Sequence, residues 1–193
     1  MTESSSTVVV TGGAGFIGSH VCQAYRDAGW NVIALDNLSS GKPENVPEGV
    51  ELVEMDIRSD GLSQFMHDRR PTLVNHHAAQ IDVRISVAEP RLDASINVDG
   101  WLNVLESSQA ADVDRVVYVS SGGVVYGEPD QLPTGERVAK APISPYGVSK
   151  LTGEHYMFFF RKVHGLKGVA LRYSNVYGPR QNPHGEAGVI ALF

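Results

Sequence analysis

Cysteine is almost missing from this chain. Cys22 stands alone, which excludes an internal disulfide and a cysteine-based metal centre. It falls on the apolar side of a candidate helix, where a packed thiol is expected. Long apolar runs are missing too. No stretch reaches the length needed to cross a bilayer, and Met1 to Thr7 is polar, without the apolar core of a signal peptide. Basic charge is in deficit: 16 Lys and Arg stand against 22 Asp and Glu, a net charge of −6, which argues against nucleic acid as a partner. Internal repeats and low-complexity tracts are lacking as well. Together these absences point to a reducing cytoplasm and to no membrane. Hydrophobic content of 42% and charged content of 20% are those of a globular protein. A length of 193 residues suits one domain with at most the start of another.

The most informative stretch is Val8-Val-Val-Thr-Gly-Gly-Ala-Gly-Phe-Ile-Gly-Ser-His20. Val8 to Val10 are β-branched and apolar, as in a strand buried on both faces. Gly12, Gly13, Gly15 and Gly18 follow. Ile17, Val21, Ala24, Tyr25 and Ala28 then recur at helical spacing, with Gly29 as a stop. Gly12 and Gly13 are expected to permit a turn with positive φ. Gly15 leaves room for a diphosphate at the helix N-terminus, and Gly18 lets the helix lie close on the strand. Free N–H groups and the helix dipole attract phosphate there. The strand before and the helix after are the context that gives this glycine pattern its meaning.

Asn31 to Leu35 reads as a second strand ending at Asp36. A carboxylate at that place accepts both ribose hydroxyls of an adenosine and repels a 2′-phosphate, which favours NAD over NADP. Residues 37–47 are a turn-rich connection. Further strands are expected at Glu51–Met55, Thr72–Asn75, Arg115–Val119 and Val169–Leu171. Helices are expected at Leu62–Met66, Pro90–Ala110 and Tyr146–His164. The Pro- and Gly-rich loop from Gly127 to Pro145 is long enough to be functional. His76 and His77 invite a metal reading, but no third ligand accompanies them at a sensible spacing. Strands alternating with helices give a parallel α/β sheet. With the glycine turn in the first crossover, the fold class is a doubly wound, Rossmann-type sheet. Its ligands sit at the carboxyl ends of the strands, which is where Gly12, Asp36, Asp56, Ala78 and Ser120 fall.

Tyr146-Gly-Val-Ser-Lys150 carries the chemistry. Tyr146, Lys150 and either Gly153 or Glu154 share one helix face. Free tyrosine, with a pKa of about 10, is a poor base at neutral pH. A lysine one turn away and a positively charged nicotinamide ring both stabilise its phenolate. The pair can then take a proton from an alcohol.

These motifs, with Asp36-Asn-Leu38, Ser120-Ser121, Val125-Tyr-Gly127 and Leu171-Arg-Tyr-Ser-Asn-Val-Tyr-Gly-Pro-Arg180, resemble the extended short-chain dehydrogenase/reductase family over nearly the whole chain. Within it they are most similar to NAD-dependent nucleotide-sugar epimerases of the UDP-glucose 4-epimerase kind. The resemblance implies that Gly12, Gly15, Phe16, Ile17 and Gly18 hold the diphosphate of NAD. Asp36, Asn37, Ser39, Ser40 and Gly41 would surround the adenosine ribose, and Asp56 and Ile57 the adenine. Ala78, Ala79, Gln80, Asn97 and Ser120 would line the inner half of the cofactor site, and Tyr173 would lie near the nicotinamide. Tyr146 would be the base, Lys150 its tuning residue and nicotinamide-ribose ligand, and Asn175 would face the diphosphate of a UDP-hexose. A homodimer through the helices at 91–110 and 146–164 is also implied.

The sequence departs from the family pattern twice. Where a catalytic Ser or Thr is usual, this chain has Gly122. Ser121, the backbone or a water would have to supply that hydrogen bond. The Thr-Asp-Glu of a 4,6-dehydratase is also absent at this place, which argues against dehydration. The second departure is the apolar run Gly188–Phe193, without cap or breaker. The domain division is therefore read as 1–180 for NAD binding and 181–193 for the start of a truncated substrate domain, so that the chain is expected to be a fragment. A reductase, a decarboxylase, an epimerase acting at another carbon, a non-catalytic NAD-binding module and a scaffold stay open as alternatives.

Overall fold

The computed structural model describes residues 6–183 and residue 190. Six strands form one parallel sheet: β1 (Thr7–Thr11), β2 (Asn31–Asp36), β3 (Glu51–Glu54), β4 (Leu73–His76), β5 (Arg115–Ser121) and β6 (Gly168–Tyr173), in the order β3-β2-β1-β4-β5-β6. The order reverses between β1 and β4, which is the switch point where such sheets open a crevice at their carboxyl ends. The register sets Thr11 beside both Leu35 and His76, His76 beside Tyr118, and Ser121 beside Tyr173. The expected doubly wound fold is therefore present. Most of the 181–193 segment lies outside the described residues.

The central strands β1, β2 and β4 are buried on both faces, and successive side chains enter opposite cores. Val8 and Val10 pack with Cys22, Val32, Ala34 and Leu73 beneath helix α1 (Phe16–Asp27). Val9, Ile33 and Val74 face the larger core on the other side. That core is closed by α2 (Leu62–Arg69), α5 (Gly100–Ala110) and α6 (Pro145–Phe159). Burial pushes the Cys22 thiol up to about 12, so it is the packed, unreactive thiol expected.

Helix ends follow from local chemistry. Gly29, at φ +84°, lets the chain leave α1. The Ser144 hydroxyl caps α6 at the Gly147 N–H, with Pro145 in the first turn. The long helix expected over 90–110 is built in three parts. α4 (Pro90–Ala94) runs into a π-helical turn (Ser95–Asp99), which leads into α5. A short helix missed in the sequence, α3 (Val83–Ala88), precedes it and is capped by the Asp82 carboxylate. Single π turns inside helices recur at functional sites, and this one contains Asn97.

Candidate active site

At the β1–β2 end the site is made largely of backbone. Gly12 adopts φ +68°, and a Cβ there would lie 2.7 Å from the Ala78 nitrogen. The positive φ expected of Gly13 is not found. Gly13 is required for space instead, because its Cβ would fall 2.7 Å from that of Ala34. Gly18 serves the turn rather than the strand: a Cβ would come within 2.0 Å of the Gly12 carbonyl. Gly15 is the N-cap of α1, with no side chain capping the helix. A Cβ on Gly15 would meet only the Gly12 carbonyl, at 3.2 Å. The helix therefore presents its electropositive end, through Phe16, Ile17 and Gly18, at a glycine-sized opening.

The Asp36 carboxylate is fixed by the Ala14 N–H at 3.0 Å and the Leu38 N–H at 2.9 Å. Gly41 presses so close that a Cβ would lie 2.8 Å from both its oxygens. One acceptor site per oxygen is left for a sugar hydroxyl. Asn37 donates to Asp56 at 2.9 Å and accepts from the Ser39 backbone and hydroxyl; Ser40 is exposed beside it. Arg58 pairs with Asp56 at 2.8 Å and holds that carboxyl well below the usual range. Ile57 is buried against Gly100. A helix N-terminus without a side-chain cap, a turn with no room for side chains and a carboxylate at the end of β2 fit the diphosphate and ribose of NAD.

Side chains build the β4–β6 end. His76 is the last residue of β4 and His77 the first beyond it. His76 accepts or donates at Thr11 Oγ1 over 2.8 Å and stacks on Trp101 at 4.6 Å. His77 lies 6.1 Å from the Tyr173 ring, with its Nε2 buried and without a partner. Burial lowers both histidines, His77 to about 4, with the Lys150 charge adding to the effect. Among the described residues no three His, Cys, Asp or Glu are grouped as metal ligands.

Ala78 donates its N–H to Thr11 Oγ1 at 3.2 Å, and Ala79 continues the strand end. Asn97 brackets Gln80, accepting from its N–H and donating to its carbonyl, each at 2.9 Å. Those two residues are thus committed to one another and shape the loop after β4. Ser120 donates to Glu154 at 2.6 Å, which turns its hydroxyl toward α6. Ser121 lies on the other side: a Cβ on Gly123 would be 3.8 Å from both Ser121 Oγ and Asn175 Oδ1. Gly122 donates its N–H to the Tyr173 carbonyl at 2.7 Å.

Lys150 is the electrostatic centre. Its ammonium donates to the Val119 carbonyl at 2.9 Å and sits 5.3 Å from the Tyr118 ring and 5.7 Å from that of Tyr146. Burial lowers it to about 8, against the opposing pull of Asp93. Behind it, Glu154 and Arg172 form a two-point ion pair with its shorter contact at 2.6 Å, and Arg172 also donates to the Tyr126 hydroxyl at 2.7 Å. Sequence reasoning missed Asp93 and this Arg172 fork. Asp93 lies four residues before Asn97 and so on the same helix face, a signal available beforehand. The fork joins elements far apart in the chain and leaves no local trace.

Known proteins agree with this arrangement. The NAD dependent epimerase/dehydratase family matches residues 8–193. A UDP-glucose 4-epimerase of Mycolicibacterium smegmatis is 43% identical over 190 residues, covering 96% of this chain and 61% of that protein. The structure of Thermus thermophilus UDP-glucose 4-epimerase complexed with NAD superposes with a TM-score of 0.92 at 48% identity, over 96% of this chain and 60% of the other. The Thermotoga maritima enzyme with UDP-glucose gives 0.93 at 47% identity, over 96% and 61%. The chain thus spans about three-fifths of the length of these relatives. Its glycine turn, Asp36 and Tyr146–Lys150 helix all lie inside the matched region, and the chain belongs to the NAD-dependent epimerase/dehydratase family.

Proposed function

We propose that this chain is the NAD-binding part of a nucleotide-sugar 4-epimerase of the UDP-glucose/UDP-galactose type. The observation that carries the reading is the buried Lys150 ammonium set 5.7 Å from the Tyr146 ring at the end of a glycine-turn nucleotide fold. The relatives solved with NAD and with UDP-glucose support it.

Gly12, Gly15, Phe16, Ile17 and Gly18 would hold the NAD diphosphate, Asp36 the adenosine ribose, and Lys150 the nicotinamide ribose. When bound, the nicotinamide supplies a reversible hydride acceptor for C4 of the sugar. The protein's own residues manage the proton. Tyr146, kept as phenolate by the adjacent ammonium, takes the proton of the sugar 4-hydroxyl and returns it once the 4-keto sugar has presented its other face. Ser121 orients the sugar oxygen in place of the hydroxyl that Gly122 lacks. This assignment is favoured because the Gly122 N–H is already engaged by Tyr173. Asn175, beside Ser121 across Gly123, faces the diphosphate of the sugar nucleotide. The same reading makes the protein a cytoplasmic homodimer that meets through α4–α5 and α6, where Leu92, Val148 and Phe159 are exposed.

The test is interconversion of UDP-glucose and UDP-galactose by the full-length protein, with a panel of other nucleotide sugars alongside. Tyr146→Phe should lower turnover by about 10²- to 10⁴-fold and leave NAD affinity, read by calorimetry, unchanged. Full activity in Tyr146→Phe removes the base assignment. Conversion of other sugars at another carbon favours a different enzyme of the family.

A further inference from the structure

Asp93 is a fully buried carboxylate with no cation of the described residues in contact. It reaches the interior from α4, at 0% exposure. Three neutral donors hold it: Asn97 Nδ2 at 2.9 Å and Gln80 Nε2 at 3.3 Å on Oδ1, and the Ser149 hydroxyl at 2.5 Å on Oδ2. Among the described residues no Lys or Arg stands within ion-pair distance of it. Removing a charge from water in this way is costly unless another charge compensates.

Ser149 immediately precedes Lys150, which is itself only 4% exposed. Two dry charges of opposite sign therefore lie on neighbouring elements, tied by the hydroxyl of the residue next to one of them. Apart from Tyr146 when it is ionised, the described groups around Lys150 supply no free counter-charge. His76 and His77 at the end of β4 are held neutral by burial. Tyr118 on β5 is pushed up, also by burial. Tyr146 shares α6 with Lys150, and Glu154, one turn further on, is committed to Arg172. On α3, Arg84 pairs with Asp82.

We propose that Asp93 is the counter-charge that keeps Lys150 an ammonium, and that it thereby acts as a positioning residue for the Tyr146–Lys150 pair without touching cofactor or substrate. Gln80 and Asn97 acquire a second duty, since both orient the Asp93 carboxylate. The claim about catalysis rests on Lys150 tuning Tyr146. The claim about the Asp93–Lys150 coupling does not, so the two can fail separately.

The experiment is a pH titration of Lys150 by NMR in the full-length protein carrying ¹³Cε-lysine, with Lys150→Arg as the assignment control. In wild type the midpoint is expected near pH 8, since burial lowers Lys150 to about 8. In Asp93→Asn, which keeps the shape of the side chain, it should fall by about one unit or more. The alkaline limb of kcat/KM for sugar interconversion should move down with it. A folded Asp93→Asn protein with an unmoved Lys150 midpoint overturns the proposal. If the lysine midpoint moves and the alkaline limb does not, the coupling stands and the role in catalysis is overturned. If no nucleotide sugar is converted at all, the functional reading fails while the lysine titration still decides the coupling. Should Asp93→Asn not fold, Asp93→Ser, which also removes the charge, answers the same question: the Lys150 midpoint should again fall. An unmoved Lys150 midpoint in a folded Asp93→Ser protein overturns the proposal equally.

Discussion

At the β1–β2 end of the site the chain presents backbone: an uncapped helix terminus, a left-handed Gly12 and glycines with neighbours inside van der Waals distance of a missing Cβ. At the β4–β6 end it presents ionisable side chains, His76, Asp93 and Lys150 buried, and His77 and the Glu154–Arg172 pair half-buried. The first end should be sensitive to volume and indifferent to pH near neutrality. The second should tolerate small changes of shape and respond to charge. A diphosphate that carries its charge permanently needs only fixed dipoles. A group that must accept and return a proton needs neighbours whose own charges are held in place.

The largest effect that separates the two ends is acid destabilisation. His77 titrates near 4 in the fold against about 6.5 when unfolded. His76 is lowered as well. Between those values the unfolded chain binds protons that the folded chain refuses. Stability contributed by the neutral histidines is therefore complete above pH 6.5 and is lost as pH falls toward 4. The loss from His77 is on the order of 3 kcal/mol, measurable by urea unfolding at successive pH values. His77→Leu should flatten the slope between pH 6.5 and 5. An unchanged slope would mean that the histidines are not held neutral and would break the contrast at this end.

A smaller effect tests the other end. Gly18→Ala places a methyl group 2.0 Å from the Gly12 carbonyl, and overpacking of this kind costs about 1–3 kcal/mol. NAD affinity should fall with it, since the turn proposed to face the diphosphate must move. Calorimetric titration with NAD and thermal unfolding read both quantities. Normal affinity in Gly18→Ala would show that the turn yields without loss and is not the shaped cradle described here.

The same contrast explains what was legible beforehand. The glycine end announces itself because glycines at fixed spacing between a β-branched run and a helical run are a local pattern, and Asp36 follows at the end of the next strand. The parallel sheet followed from the alternation of strands with helices, and its strand order from the structure. Gly13 was misread because positive φ and lack of room both select glycine, and only the fold tells them apart. The other end was half legible. Tyr146 and Lys150 share a helix face by spacing alone. Asp93 meets Ser149 across two helices, and Arg172 meets Glu154 and Tyr126 across a strand, a helix and a loop. The Asn97 bracket on Gln80 depends on a π turn that nothing in the periodicity of residues 90–110 revealed.

The central proposal is that the full-length protein oxidises a sugar at C4 and returns the same hydrogen to the opposite face. It is tested most directly by giving the full-length protein UDP-glucose labelled with deuterium at C4. The expected result is UDP-galactose that retains the deuterium at C4, because in the proposed mechanism the hydrogen would leave and return as hydride while Tyr146 would handle only the hydroxyl proton. Exchange of the label into solvent during epimerisation would contradict it.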